Sequence, residues 1–309
     1  MMSRLKLSRR LPLSYAIGWI IVSTLLCTGG SFAYLKQYLK KKYQKAFSYD
    51  NQIHSIIQTG PQKEALKTEY LAEILQISRD VPTSVVFFNE EVAKQRLLSS
   101  PLINQADVKV LKPAALYIDY TIRQPVAWVE DYENVVMDKA GYPFPFYPFL
   151  SPKNLPYIYF GLSSFGKRST DSDKPVVRWK EAMTGAYVNL AFSLLQLIHE
   201  LGLSHVVRID LSQAFASSCG KREIVLTVDN VIVQWQNGLE QQIVFPHLLR
   251  LGTKNYKEQL INYLNLKEEL IEQEKQVLLQ HSINQPFLRL KEKVIDLRLS
   301  KLAFVQSAP

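Results

Sequence analysis

Cysteine is nearly absent: among 309 residues only Cys27 and Cys219 carry a thiol. Cys27 sits in an apolar run that has no route to Cys219 within one fold. A disulfide framework, a CxxC redox pair and a zinc ribbon are therefore excluded. Glycine and proline are sparse, at 12 and 15 residues, which removes collagen-like and low-complexity classes, and 47% hydrophobic residues remove wholesale disorder. Acidic residues are missing altogether from positions 1–45, which hold nine cations: Arg4, Lys6, Arg9, Arg10, Lys36, Lys40, Lys41, Lys42 and Lys45. The remaining 264 residues balance at 28 basic and 28 acidic groups, so the net charge of +9 belongs to the N-terminal region. A nucleic-acid binder needs cations on its folded face to displace counterions. The neutral body excludes that class.

Charge is missing again, this time of both signs, over the 25 residues from Leu11 to Leu35. A helix of that length spans the ~30 Å hydrocarbon core with room to tilt. Trp19 lies within it, and Tyr15 near one end with Tyr34 and Tyr38 at the other suit the headgroup belts. The expectation is a transmembrane helix over 11–35, a cytoplasmic tail at 1–10 and a basic stalk at 36–48. A lipoprotein signal does not fit, because Leu26 precedes Cys27. A cleaved secretory signal is the rival reading, since Ser31-Phe32-Ala33 has the small-x-small form of a cleavage site. Four cations precede the span and five follow it, so the positive-inside count does not choose an orientation. Translocating the cationic tail is harder than threading a neutral body, which favours tail inside and body outside. For the stalk, contact with anionic headgroups and a solvated linker are the two readings.

The body begins with a legible order. Gln52–Gln58 carries Ile53, Ile56 and Ile57 as a weak strand, ended by Gly60-Pro61. Thr68 is placed to cap a short helix with Leu71, Ile74 and Leu75 on one face. Asn89 is placed to cap Glu90–Ser99, with Glu90 and Glu91 at the positive end of the helix dipole and Val92, Leu97 and Leu98 as the apolar face. Ala106, Val108 and Val110, and then Leu116, Ile118, Tyr120 and Ile122, alternate with polar residues on either side of Lys112-Pro113. That pattern predicts a hairpin with one buried face. The predicted order is strand, helix, helix, strand, strand.

Several stretches carry a resemblance. They are Pro101-Leu102-Ile103-Asn104-Gln105-Ala106-Asp107-Val108, Lys112-Pro113-Ala114-Ala115-Leu116 and Arg123-Gln124-Pro125-Val126-Ala127-Trp128. Val136-Met137-Asp138-Lys139-Ala140-Gly141-Tyr142-Pro143-Phe144, Leu155-Pro156 with Phe160-Gly161, and Val294-Ile295-Asp296-Leu297-Arg298 follow in order. Together with the anchor, this set resembles the bacterial cell-division family FtsQ/DivIB. The resemblance implies an α+β chain with a single N-terminal transmembrane helix. A POTRA domain (β-α-α-β-β) over 49–124 would follow, then an FtsQ-type β-domain over 125–309, a mixed sheet with packed helices.

Within 125–309, Tyr142–Phe149 interleaves prolines with aromatics and reads as a sheet edge or connector. An exposed patch for a partner and a sealed junction are both open readings. Ala186–Leu201 has helical spacing with Gly202 as its stop. Val206, Val207 and Ile209 form a strand, and Asp229-Asn230 is expected to turn a hairpin between Glu223–Val228 and Val231–Trp235. Asn255–Leu264 and Lys267–Gln280 read as two amphipathic helices, and Lys293–Gln306 as a closing strand.

Catalytic chemistry finds little support in these residues. His199-Glu200 with His205 lacks the i, i+4 spacing that a metalloprotease helix needs, because position 203 is Leu203. No GxSxG, Walker A loop or dinucleotide fingerprint follows a strand, and no base is identified for Cys219. The reading assigns no catalytic residue, no metal ligand and no cofactor.

An anchored, strand-rich body of this kind suggests a binding protein whose sheet edges accept partner strands. The resemblance implies a divisome scaffold at the septum of the inner membrane. Its partners would be FtsB/DivIC-like and FtsL-like coiled-coil proteins, with links to the septal peptidoglycan synthase, besides membrane lipid. On that basis Val294–Ser300 is the expected docking edge, with Val294, Ile295, Leu297, Arg298 and Leu299 as partner-binding residues; a purely structural strand is the plainer reading. The helices of Tyr256–Gln280 are a further candidate contact for a coiled coil. The alternative function is an anchored POTRA chaperone for secretion or outer-membrane assembly, a class that usually carries several POTRA copies.

Overall fold

The computed structural model describes residues 13–60, 64–78, 80, 83–161, 177–236, 239–279, 286–299 and 302–307. The expected tail at 1–10 and Leu11 lie outside them, as do Ser300 and Gln280. Helix α1 runs unbroken from Leu13 to Ala46, so the basic stretch continues the apolar one as a single rod of 34 residues. Its Ile17–Ala46 portion is long and apolar enough to cross a membrane, and none of its most apolar window is buried. Trp19 and Leu35 are exposed, as lipid-facing side chains would be in water. Thr24 and Thr28 return their hydroxyls to the carbonyls of Ile20 and Thr24, satisfying polar groups within the helix.

The chain divides into two compact units, both α+β. The first takes in α1, β1 (Ser55–Thr59), α2 (Thr68–Leu75), α3 (Glu90–Leu98), most of β2 (Ile103–Leu111) and most of β3 (Ala115–Ile122). Its three-stranded sheet has the order β1-β3-β2, with β1 parallel to β3. A parallel pair needs a crossover, and α2 and α3 supply it. Leu116, Ile118 and Tyr120 are buried on β3 while Asp119 is exposed, which is the alternation expected of that strand. The helices bury Leu71, Leu75, Ala93 and Leu97. Two local expectations are corrected here. Thr68 is the first helical residue and Lys67 the uncapped N-cap. On α3 the inward pair is Ala93 and Leu97, one turn apart, while Val92 is 46% exposed. The Asn89 cap is present, its Oδ1 accepting the amides of Glu91 (3.0 Å) and Val92 (3.1 Å). Where α1 meets this unit, the Ser84 hydroxyl donates to the Ala46 carbonyl at 2.6 Å, and Tyr43 and Phe47 pack their rings on Phe87.

The second unit is built on a ten-stranded mixed sheet. Its strands are β4 (Pro125–Val129), β5 (Val135–Asp138), β6 (Pro143–Pro145), β7 (Tyr157–Tyr159), β8 (Val206–Asp210), β9 (Ile224–Gln236), β10 (Leu239–Leu251), β11 (Phe287–Arg289), β12 (Lys293–Asp296) and β13 (Phe304–Ser307). The order is β13-β12-β10-β9-β8-β7-β4-β5-β6, with β11 also on β10. Helices α4 (Ala186–Glu200) and α5 (Tyr256–Leu279) pack on the sheet through Ala191, Leu194, Leu260 and Tyr263, against Ile158, Ile209, Leu226, Leu249 and Ile295. Each fully buried leucine or isoleucine contributes about 1.5–3 kcal/mol relative to exposure. Gly202, at φ +62, stops α4 as its spacing predicts, which leaves His205 beyond the helix.

Here too the sequence reading needs correction. Asp229-Asn230 does not turn a hairpin: β9 passes straight through it, and β9 and β10 pair along 13 residues starting at Gln236↔Leu239, on either side of Asn237-Gly238. The two amphipathic helices are one, α5, because Leu264-Asn265-Leu266-Lys267 contains no breaker. The closing strand is two, β12 and β13, arranged antiparallel.

Asn89→Ala should cost about 1 kcal/mol, the usual value of such a cap. Hydrogen exchange in the first turn of α3 is expected to quicken roughly fivefold; unchanged exchange would show that the cap contributes nothing.

Candidate functional site

The residues expected to dock a partner do not lie on an open edge. β12 pairs on one side with β10, through His247↔Lys293 to Arg250↔Asp296, and on the other with β13, through Lys293↔Ser307 to Asp296↔Phe304. Ile295 and Leu297 are buried, at 0% and 2% exposure, because they fill the core beneath α5 rather than facing outward. Val294 is half-buried. Arg298 is committed locally: its guanidinium donates to both Asp296 carboxylate oxygens and lies 3.2 Å from Glu223. Of the five, Leu299 alone is exposed.

β12 is thus a fastened interior strand. Asp296 also faces Arg250 at 3.5 Å, and Arg250 in turn donates to Glu223. Burial alone would raise the Asp296 carboxyl, but hydrogen bonds from the Arg298 side chain and amide outweigh it and hold the group below the ordinary aspartate value. At the other end Lys293 Nζ reaches Glu274 Oε1 of α5 at 2.8 Å. The same carboxylate is 3.4 Å from Nε2 of His247, a fully buried histidine in β10. His247 Nδ1 lies 2.9 Å from the Tyr263 hydroxyl, and the Asn230 amide nitrogen donates to the Phe245 carbonyl and to Tyr263. The geometry suits Tyr263 donating to Nδ1, leaving the Nε2 hydrogen to face Glu274. Asn230, read from the sequence as a turn residue, is therefore an interior residue tying β9, β10 and α5 together. A stronger hairpin signal in the sequence is the Asn237-Gly238 dipeptide, which falls between the paired strands β9 and β10.

The outer edge of the sheet is formed by β13 and by β11. β13 is exposed along its whole length, and with Leu299 it presents Leu302, Phe304 and Val305 to solvent at 44–59% exposure. β11 pairs with β10 through Gln242↔Phe287 to Val244↔Arg289, and among the described residues no strand lies beyond it. The break between β12 and β13 has a sequence signal: Lys301 interrupts the alternation of Ile295, Leu297 and Leu299.

The opposite edge is β6, three residues long and made of Pro143, Phe144 and Pro145. Proline lacks the amide needed for a ladder, so this edge is blunted. Phe144 and Phe146 are buried, while Tyr147 and Tyr157 stay partly exposed around Trp128. The motif residues nearby have structural roles. Arg123 donates to Asp138 at 2.7 Å and stacks over Tyr142, and Asp138 accepts the amides of Ala140 and Tyr142. Gly141, at φ +85, would place a Cβ 2.7 Å from the Met183 carbonyl oxygen, so a side chain there is excluded.

Among the described residues no group of three His, Cys, Asp or Glu side chains converges as a metal site would require. His199 and His205 are both exposed. The titratable cluster at His247 is buried between α5 and the sheet, and Cys219 is exposed as a free thiol.

No protein-family model matches the chain. No curated protein shows significant similarity to it.

Glu274 and Tyr263 give opposite pH limits. Burial raises the Glu274 carboxyl, but His247 and Lys293 outweigh it and hold the group below the ordinary glutamate value. Its stabilising contribution is present above the unfolded glutamate pKa of about 4.3 and is lost as pH falls through the lower folded value. Burial pushes the Tyr263 phenol up to about 12. Between about 10 and 12 the unfolded chain ionises first, so stability falls as pH rises through that window. Glu274→Gln should flatten the acid limb, and Tyr263→Phe the alkaline limb, of a denaturation midpoint against pH. Unchanged limbs in both variants would remove the network from the stability account.

Proposed function

We propose that this chain is a non-catalytic, single-pass membrane scaffold of the FtsQ/DivIB type. In this reading α1 anchors it in the inner membrane, with the N-terminus cytoplasmic and the body outside. The first unit is the POTRA domain and the second the FtsQ-type β-domain. The C-terminal edge of the ten-stranded sheet captures FtsB/DivIC-like and FtsL-like coiled-coil proteins by strand addition, and so links them to septal peptidoglycan synthesis.

The observation that carries this reading is the contrast between the two edges of one sheet. β6 has the short length and the prolines that natural proteins use to stop strands adding. β13, Phe-Val-Gln-Ser, has neither proline nor charge, and Phe304 and Val305 stand in solvent. An edge left open with apolar residues on it is an aggregation hazard unless a partner covers it. The element order β-α-α-β-β in the first unit and the ordered motif stretches are consistent with the same family.

A photocrosslinking residue at position 287, on the exposed outer strand β11, should yield an adduct with a small single-pass division protein in living cells, and one at position 147, near the blunted edge, should not. Equal labelling from both positions, or none from 287, would contradict the docking edge.

A further inference from the structure

The docking reading leaves open whether a partner adds outside β13 or takes its place. We infer that β13 is a placeholder, a strand of the chain's own that occupies the acceptor strand β12 in the free protein and gives way to the incoming strand. This inference rests on the docking reading for its purpose, but its physical content stands on the strand itself.

β12 and β13 are held by different means. β12 has Ile295 and Leu297 in the core, Lys293 on Glu274, and Asp296 between Arg298 and Arg250. β13 has four ladder positions and no buried side chain. Among the described residues, Phe304, Val305, Gln306 and Ser307 take part in no side-chain hydrogen bond or ion pair. With only Ala303 just before it resting on the core, little apolar burial offsets the entropy of ordering this strand. Elements of this kind occupy the low end of local stability.

The acceptor edge is also longer than its occupant. β11 and β12 both run parallel to β10, one after the other, and the Leu290 amide between them donates to the Val244 carbonyl at 3.0 Å. β13 covers Lys293–Asp296 alone, leaving the outer side of Phe287–Arg289 without a strand among the described residues. A partner strand antiparallel to β12 can occupy the same four positions and run on along β11. Every ladder bond that β13 gives up is remade, and further ones are added. The occupant that fits is an extended polypeptide segment longer than β13, with apolar or β-branched residues at alternate positions.

The test uses the full chain in lipid nanodiscs. Hydrogen exchange at Phe304–Ser307 should be at least ~100-fold faster than in the β9–β10 ladder, reflecting local opening rather than global unfolding. The second arm uses a fluorescent peptide copying residues 301–309 as the competing strand. The chain carries Val294→Cys and Gln306→Cys, which are register partners in the two strands, with Cys27 and Cys219 replaced by serine. Opposed positions of antiparallel strands lie at about 4.5–5.5 Å between Cα atoms, within disulfide range. The reduced chain should bind the peptide, the oxidised chain should not, and reductant should restore binding. Exchange of β13 as slow as that of β9–β10, or peptide binding indifferent to the lock, would overturn the placeholder. The two readings fail separately. Lock-sensitive peptide binding without an adduct from position 287 keeps the placeholder and removes the docking function. An adduct from 287 that survives the lock keeps docking and removes the placeholder.

Discussion

Backbone hydrogen bonding at the margin of the ten-stranded sheet constrains everything else in the second unit. Each strand has N–H and C=O groups on two sides, and those without a ladder partner must face water or another chain. The chain treats its two margins differently. At β6 it removes donors with Pro143 and Pro145 and buries Phe144 between them. At the other margin it places β13 over β12, leaves β11 without an outer strand among the described residues, and exposes Leu299, Leu302, Phe304 and Val305. That difference turns a mixed sheet with helices on it into a directional surface.

In the proposed exchange the acceptor margin has to stay in place while its outermost strand changes partners, and a buried polar network links that margin to the helix above it. Glu274 joins α5 to β12 through Lys293 and approaches His247 of β10, while Tyr263 and Asn230 extend the set to β9. Such a network is costly when partly satisfied and specifying when satisfied. Beside it, the Asp296–Arg298–Glu223–Arg250 set ties β12 to β10 and to the start of β9 on a half-exposed surface, where ion pairs contribute less. The rigid length of α1, and its contact with the first unit through Ser84 and Phe87, hold that unit directly on the candidate membrane span.

Much of this was legible from local pattern. The uncharged run from Leu11, the Asn89 cap, the alternation of Leu116, Ile118 and Tyr120, and Gly202 as a helix stop each report a local cause, and local causes are what a sequence displays. The failures share a different origin. Asn230 beside Asp229 has the local pattern of a turn, whereas its partners, Phe245 and Tyr263, lie 15 and 33 residues away. Val92 shares the helical spacing of the inward residues, and periodicity does not say which of two adjacent faces is buried. Val294, Ile295, Leu297, Arg298 and Leu299 have the pattern of an edge strand, and their pairing on both sides is invisible locally because strand order is a long-range property. Nothing within Lys293–Ser300 announces that residues 304–307 will pair outside it. Lys301 and Asn237-Gly238 were the two local signals that would have corrected the topology.

The central claim is that another chain adds its backbone at the β11–β13 margin. It is tested most directly by hydrogen exchange of the chain isolated from cell membranes together with its partner, compared with the chain alone. The account predicts slowed exchange of the outward amides in Phe287–Asp296, with no change at β6. Unchanged exchange along that margin, or protection confined to the exposed side of α5, would contradict it.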